Sequence, residues 1–166
     1  GWDVIDVSGT AGNWYTHVGT NHPSGYPAHS VPNLAFFNAY SASAGSSTRL
    51  YRPQGLDLSA YFNVELEFWM FHDSGYSSLN DYLQVQVSSD GGVTWTNLGQ
   101  PVYRYREGTI GWDKHTLSLF TFTGLPDVRI AFLGVSAFGN DIHIDDITVY
   151  QVLNDTFVPF VQNAGG

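Results

Sequence analysis

The residues with the most chemistry to offer are carboxylates placed where a strand pattern breaks. In Ile142-His143-Ile144-Asp145-Asp146-Ile147-Thr148-Val149-Tyr150 the apolar positions are even at Ile142 and Ile144, then odd at Ile147 and Val149. Side chains alternate faces along a strand, so a one-residue slip marks a β-bulge, here at Asp145-Asp146. The bulge would aim one carboxylate inward or toward a sheet edge, where an uncompensated charge is costly. A calcium ion or a set of backbone N–H donors would offset that cost. The plainer alternative is that both aspartates cap or solvate an edge. A second oxygen-bearing segment, Trp2 to Trp14, is Gly-rich and bracketed by two Trp. Calcium takes about six to eight oxygens. Only Asp6 and Ser8 qualify in that loop, so Asp145 or Asp146 would have to complete a site.

Ser88-Ser89-Asp90-Gly91-Gly92-Val93-Thr94-Trp95 has the S-x-D-x-G-x-T-W spacing of the Asp box of sialidases and many secreted β proteins. Its physics is that of a hairpin: Asp90 accepts from turn N–H groups, Gly92 permits positive φ, and Trp95 anchors the turn. Glu65 and Glu67 share one face of a strand, roughly 7 Å apart by the pleat, a spacing at which carboxylates serve inverting glycosidases. The plainer reading pairs them with arginines such as Arg129 on a neighbouring strand. Six histidines show no H-x-H or H-E-x-x-H pattern, which leaves zinc unsupported and favours solvated or hydrogen-bonded loop histidines. Tyr76, Tyr103 and Tyr105, with Arg104 beside them, are candidate ligand contacts, because Tyr faces stack on sugar rings while polar neighbours fix orientation.

The elements that must hold these residues are strands. Val64, Leu66, Phe68 and Met70 alternate with Glu65, Glu67, Trp69 and Phe71, and Leu83, Val85 and Val87 alternate with Gln84, Gln86 and Ser88, whose polar face should meet water. Further strands are expected at Trp2 to Val7, Leu34 to Tyr40, Thr48 to Arg52, Trp112 to Leu119, Val128 to Val135 and Ile142 to Tyr150, with Gly-, Pro- and Asn-rich turns between them. Ala11 to Pro32 reads as a long early loop. The expected fold is all-β: a two-sheet antiparallel β-sandwich, a jelly roll, over residues 1–150. Residues 151–166 read as a C-terminal strand or tail and a linker.

Composition narrows the partners. Fifteen acidic residues against six basic ones give a net charge of −9, and no Lys/Arg cluster tracks a phosphate backbone. Nucleic acid and anionic membranes are poor partners, and no apolar run reaches the roughly 20 residues of a bilayer span. Absence of Cys excludes disulfides and thiolate metal sites. The opening Gly1-Trp2 reads as part of something longer.

Taken in order, Trp2 through Trp14, Phe68-Trp69-Met70-Phe71-His72-Asp73, Asp81 through Ser88, Asp90 through Trp95 and Ile144 through Val149 resemble the cleaved-adhesin and MAM-like jelly-roll modules of bacterial secreted proteins, also called choice-of-anchor J domains. The resemblance covers nearly the whole chain to about Tyr150. It implies a non-catalytic, secreted or cell-surface binding or accessory module with structural calcium. The partner would be a glycan, a protein surface or a neighbouring catalytic domain of the same chain. The family's loop reads W-x-x-x-D-x-D-G-D-G-x-x-W; Asp6, Gly9 and Trp14 match it, whereas Ser8 and Thr10 stand at the other two Asp positions and Ala11 at the second Gly. A carbohydrate-binding module proper and a small jelly-roll glycan hydrolase are the alternatives.

Overall fold

The computed structural model describes residues 1–153 and the backbone of residues 156–161. Among the described residues twelve strands follow one another. They are β1 (Asp3–Asp6), β2 (Trp14–Val18), β3 (Asn33–Phe37), β4 (Ser47–Tyr51), β5 (Val64–His72) and β6 (Tyr82–Ser88). The remainder are β7 (Thr96–Asn97), β8 (Val102–Tyr103), β9 (Gly111–Ser118), β10 (Arg129–Val135), β11 (Ile142–Leu153) and β12 (Thr156–Val161). Among the described residues the helical element is one 3₁₀ turn, Phe120–Phe122.

The strands form two antiparallel six-stranded sheets. The first runs β1-β4-β10-β6-β7, with β8 also on β6; the second runs β2-β3-β11-β5-β9, with β12 on β11. Neighbours in a sheet are mostly distant in sequence, so the chain crosses between sheets repeatedly, as a jelly roll does. The core lies between the sheets. Val64, Leu66, Phe68 and Met70 of β5 are fully buried and face Leu83, Val85 and Val87 of β6 and Phe132 of β10. The alternation that predicts β5 therefore reports its inner face.

Phe37 shows how tightly the layers meet. Its ring lies against two bare α-carbons: a Cβ placed on Gly134 would stand 2.5 Å from Phe37 Cγ, and one on Gly12 2.8 Å from Phe37 Cζ. Interiors packed at crystal density leave no slack for such atoms.

Three sequence expectations change. Trp14–Val18, read as loop, is an edge strand paired with β3; only Trp14 of it is buried, so no apolar alternation announces it. The outward side chains Gln84, Gln86 and Ser88 do not meet water, because β7, Trp95 and Arg49 cover them, leaving 4, 7 and 2% exposure. Finally, β11 runs to Leu153, past its expected end at Tyr150, and β12, a C-terminal strand as the sequence reading allowed, pairs with it. The expected linker at Gln162 to Gly166 lies outside the described residues.

The bulge is present where the phase slips. Asp145 pairs with Trp69 and Thr148 with Glu67, so three steps on β11 oppose two on β5. Asp146 takes up the extra residue with φ of 48°, a left-handed conformation that Asp tolerates better than most residues.

Candidate functional site

Strand pairing in the first sheet gathers side chains from distant segments onto its outer face. Ile5, Arg49, Leu133 and Gln84 form one row across β1, β4, β10 and β6; Asp3, Tyr51, Ala131, Gln86 and Asn97 form the next. The Asp90 turn then folds Trp95 back over them. The Asp90 carboxylate accepts from Thr94 Oγ1 and N–H, Val93 N–H and Ser88 Oγ. The Thr94 bonds first, then Ser88, hold it down to about 2. Trp95 Nε1 donates to the Gly92 carbonyl at 3.1 Å, so the indole is fixed over the sheet.

Around that indole the groups interlock. The Arg49 guanidinium lies over the Trp95 ring at 4.8 Å, a cation–π arrangement. Tyr51 meets the same ring edge-on at 5.9 Å. Arg49 Nε donates to Gln86 Oε1 at 2.8 Å, and Gln86 Nε2 donates to Asn97 Oδ1 at 2.9 Å. The result is an open pocket of about 240 Å³ lined by Arg49, Tyr51, Trp95, Arg129, Ile5 and the Gly91–Val93 turn. Farther along the same face Tyr82 and Tyr103 meet edge-on at 5.9 Å, with Tyr103 half exposed. Aromatic surface beside fixed donors and acceptors suits a ring that is apolar on its face and polar at its rim.

The outer face of the second sheet is covered over much of its length. The Thr20–Val31 segment lies on it, through Tyr26 against Phe71, His29 stacked on Trp69 at 3.8 Å and Trp112 Nε1 donating to the Pro27 carbonyl. Ser30 N–H donates to Asp145 Oδ2, while Asp146 Oδ2 receives Ser30 Oγ and His29 Nδ1. Asp145 is thus directed neither into the inter-sheet core nor to an edge. It sits buried under this segment, and burial raises its pKa while the Ser30 and Asp146 N–H bonds oppose the rise.

The expected calcium ligands fall in two places. Asp6, on the first sheet, has Oδ1 filled by the N–H groups of Ser8 and Gly9 and by Ser8 Oγ. Asp145 and Asp146, on the second, are filled as described above. Among the described residues no group of three or more His, Cys, Asp or Glu converges as metal ligands would. The four residues do not fit one calcium ion.

The expected ligand contacts also separate. Arg104 is 0% exposed. Its Nε and Nη2 bond Asp81 Oδ2, Nη1 bonds Asp73 Oδ1 and the Gly75 carbonyl, and Nη2 also reaches the Leu79 carbonyl. With every donor used inside the fold it pins loops and does not face a ligand. Tyr105 is half-buried and bridges Asp73. Tyr76 is exposed at the loop end beside Tyr40, which stacks on His22 at 3.9 Å. Of the four, only Tyr103 lies on the face that carries Trp95. Glu65 and Glu67 bond Tyr150 Oη, with Lys114 on Glu67; Arg129, the expected partner, is on the other sheet. His72 and His143 are buried in strands and are not loop residues.

Sequence reasoning missed Arg49, Tyr51, Gln86 and Arg129 as one constellation. The signal was faint: a polar Gln-x-Gln face on an otherwise apolar strand.

No family model and no curated protein matches the chain. Solved structures do. The K1 and K3 cleaved adhesin domains of Lys-gingipain from Porphyromonas gingivalis W83 align at 18 and 20% identity with TM-scores of 0.60 and 0.63. The K1 alignment covers 92% of this chain and 91% of that one, and the K3 alignment 89 and 90%. A family 11 carbohydrate-binding module from Clostridium thermocellum, in complex with a β-1,3-1,4-mixed-linked tetrasaccharide, aligns at 12% identity and TM-score 0.56. That match covers 92% of this chain and 89% of that one. The fold of this chain is therefore the jelly-roll β-sandwich shared by cleaved adhesin domains and carbohydrate-binding modules.

Proposed function

We propose that this chain is a non-catalytic extracellular binding module whose first sheet receives a glycan on its outer face. The observation that carries the reading is the convergence of Trp95, Tyr51, Arg49 and Gln86, from three separate segments, into one preformed aromatic and polar pocket. Likeness to adhesin domains and to a module holding a tetrasaccharide supports it. A secreted or surface setting agrees with the net charge of −9. No helix among the described residues is long and apolar enough to cross a membrane.

A hydrolase reading has less support. Glu65 and Glu67 share the Tyr150 hydroxyl, and Glu67 also pairs with Lys114, so protein contacts account for both carboxylates. Screening the protein against a glycan array tests the proposal. A wild-type hit should weaken at least tenfold in Tyr51→Ala and Trp95→Ala proteins that melt cooperatively. Wild-type silence across neutral and charged glycans would contradict it.

A further inference from the structure

The chain carries six basic residues in all. Three are closed off by carboxylates: Arg104 with Asp73 and Asp81, Arg106 with Asp113, and Lys114 with Glu67. Two of the others, Arg49 and Arg129, line the same pocket around Trp95, and no carboxylate lines it with them.

Their terminal nitrogens are unspent. Arg49 uses Nε on Gln86, and among the described residues neither of its Nη atoms has a protein hydrogen bond. Arg129 uses Nε on Asp127 at 3.5 Å, the outer limit of a hydrogen bond, and its Nη atoms likewise have none among the described residues. Those Nη atoms point at the glycine turn: a Cβ on Gly92 would stand 3.5 Å from Arg129 Nη1 and 3.6 Å from Trp95 Cζ2, and one on Gly91 3.8 Å from Arg129 Nη2. Each guanidinium thus offers free donors close to the indole, one over its ring and one near its edge. Of the nearby acids, Asp90 is closed into its own turn and Asp127 is on Arg129 Nε, while Asp3 lies across from Tyr51 on the exposed edge strand. Half-buried Arg49 has its pKa lowered by desolvation, so an anion arriving there would recover lost charge stabilisation.

We infer that this pocket selects an anionic sugar, one bearing a carboxylate or a sulfate, held by Arg49 and Arg129 beside Trp95. This rests on the glycan-binding reading and names the ligand class for it. Guanidinium groups are the side chains best matched to carboxylate and sulfate oxygens, because their planar fork makes paired charge-assisted bonds. In a protein of net charge −9 an anion is repelled at long range, so two guanidiniums with unspent Nη donors in one pocket are a specific device.

The test is calorimetry with tetragalacturonate, a sulfated carrageenan tetrasaccharide and neutral galactotetraose as probes. The wild type should bind at least one anionic probe ten or more times tighter than galactotetraose. Arg129→Gln, whose side chain makes a single marginal bond, should remove that preference. Arg49→Gln should do the same, and because it also loses the Gln86 contact, Arg129→Gln decides the matter if it unfolds. The preferred anionic probe identifies the group recognised. Equal or tighter binding of galactotetraose, with Arg129→Gln unchanged, would overturn the anionic inference and leave glycan binding standing. Failure of all three probes together with silence on the array would overturn both.

Discussion

The Nε2 atoms of His72 and His115 stand 3.0 Å apart on the inner side of β5 and β9. His72 bonds the Arg104 carbonyl through Nδ1 at 3.3 Å, and Arg106 Nη2 approaches its Nε2 at 3.4 Å. With Nδ1 donating, Nε2 of His72 must accept from both neighbours, so His72 is neutral in the fold. His115 stacks on Phe68 beside it, and Asp113 holds the other end of Arg106.

Burial first, then the charge of Arg106 and then His115, push the His72 pKa down to about 4, and burial first also lowers His115. Buried His143 is pushed down to about 3. A histidine whose folded pKa is depressed lends stability that is full above its unfolded pKa and lost as pH falls toward the folded value. Unfolding free energy should therefore decline from about pH 6.5 toward pH 4. His72 alone accounts for up to about 3 kcal/mol of that decline. Urea denaturation across that range checks it, and a flat profile would exclude the assignment of neutral buried histidines. His115→Gln, which cannot take up a proton there, should give a shallower profile.

The contact between Gly134 and Phe37 leads to a packing prediction. Gly134→Ala should destabilise by about 1–3 kcal/mol, the range for overfilling a packed core. The same substitution in a Phe37→Ala background should cost less, because the Cγ that collides is gone. Equal costs in both backgrounds would show that the ring does not set the limit.

Arg104 and its two aspartates are all at most 2% exposed. Removing the charge by Arg104→Met strands two carboxylates, and breaking such a buried pair costs about 3–5 kcal/mol. Arg104→Met combined with Asp73→Asn and Asp81→Asn should recover much of that loss. If the single substitution is neutral in urea denaturation, the pin is unimportant.

Asp146 tests whether its carboxylate serves the protein or an ion. Asp146→Asn keeps a residue that tolerates positive φ and removes the charge beside His29 and Ser30. Thermal stability should fall, and by the same amount in EDTA as in calcium. A loss seen only with calcium present would assign the carboxylate to a cation.

Much of this was legible in the chain, and for physical reasons. Period-2 burial exposes β5 and β6 directly, and the slip at Asp145-Asp146 marks the bulge because every apolar residue changes face there. Local turn chemistry gives the Asp90 loop. Partnerships across the fold were not legible. Arg104 looks like a surface ligand contact until Asp81 and Asp73, 23 and 31 residues away, are seen to enclose it. β2 hides because one buried Trp makes no pattern. The pocket around Trp95 needs β4, β6, β10 and the turn in register, and register between distant strands leaves little trace in one sequence.

The central claim is that ligand meets the outer face of the first sheet, and backbone and indole NMR tests it most directly. On titration with a glycan that binds, the largest shift changes should fall on the Trp95 indole N–H, Tyr51, Gln86 and Arg129, with the Trp69 indole still. Changes confined to Trp69, Trp112 and the loop around Tyr76 would place the site elsewhere and contradict it.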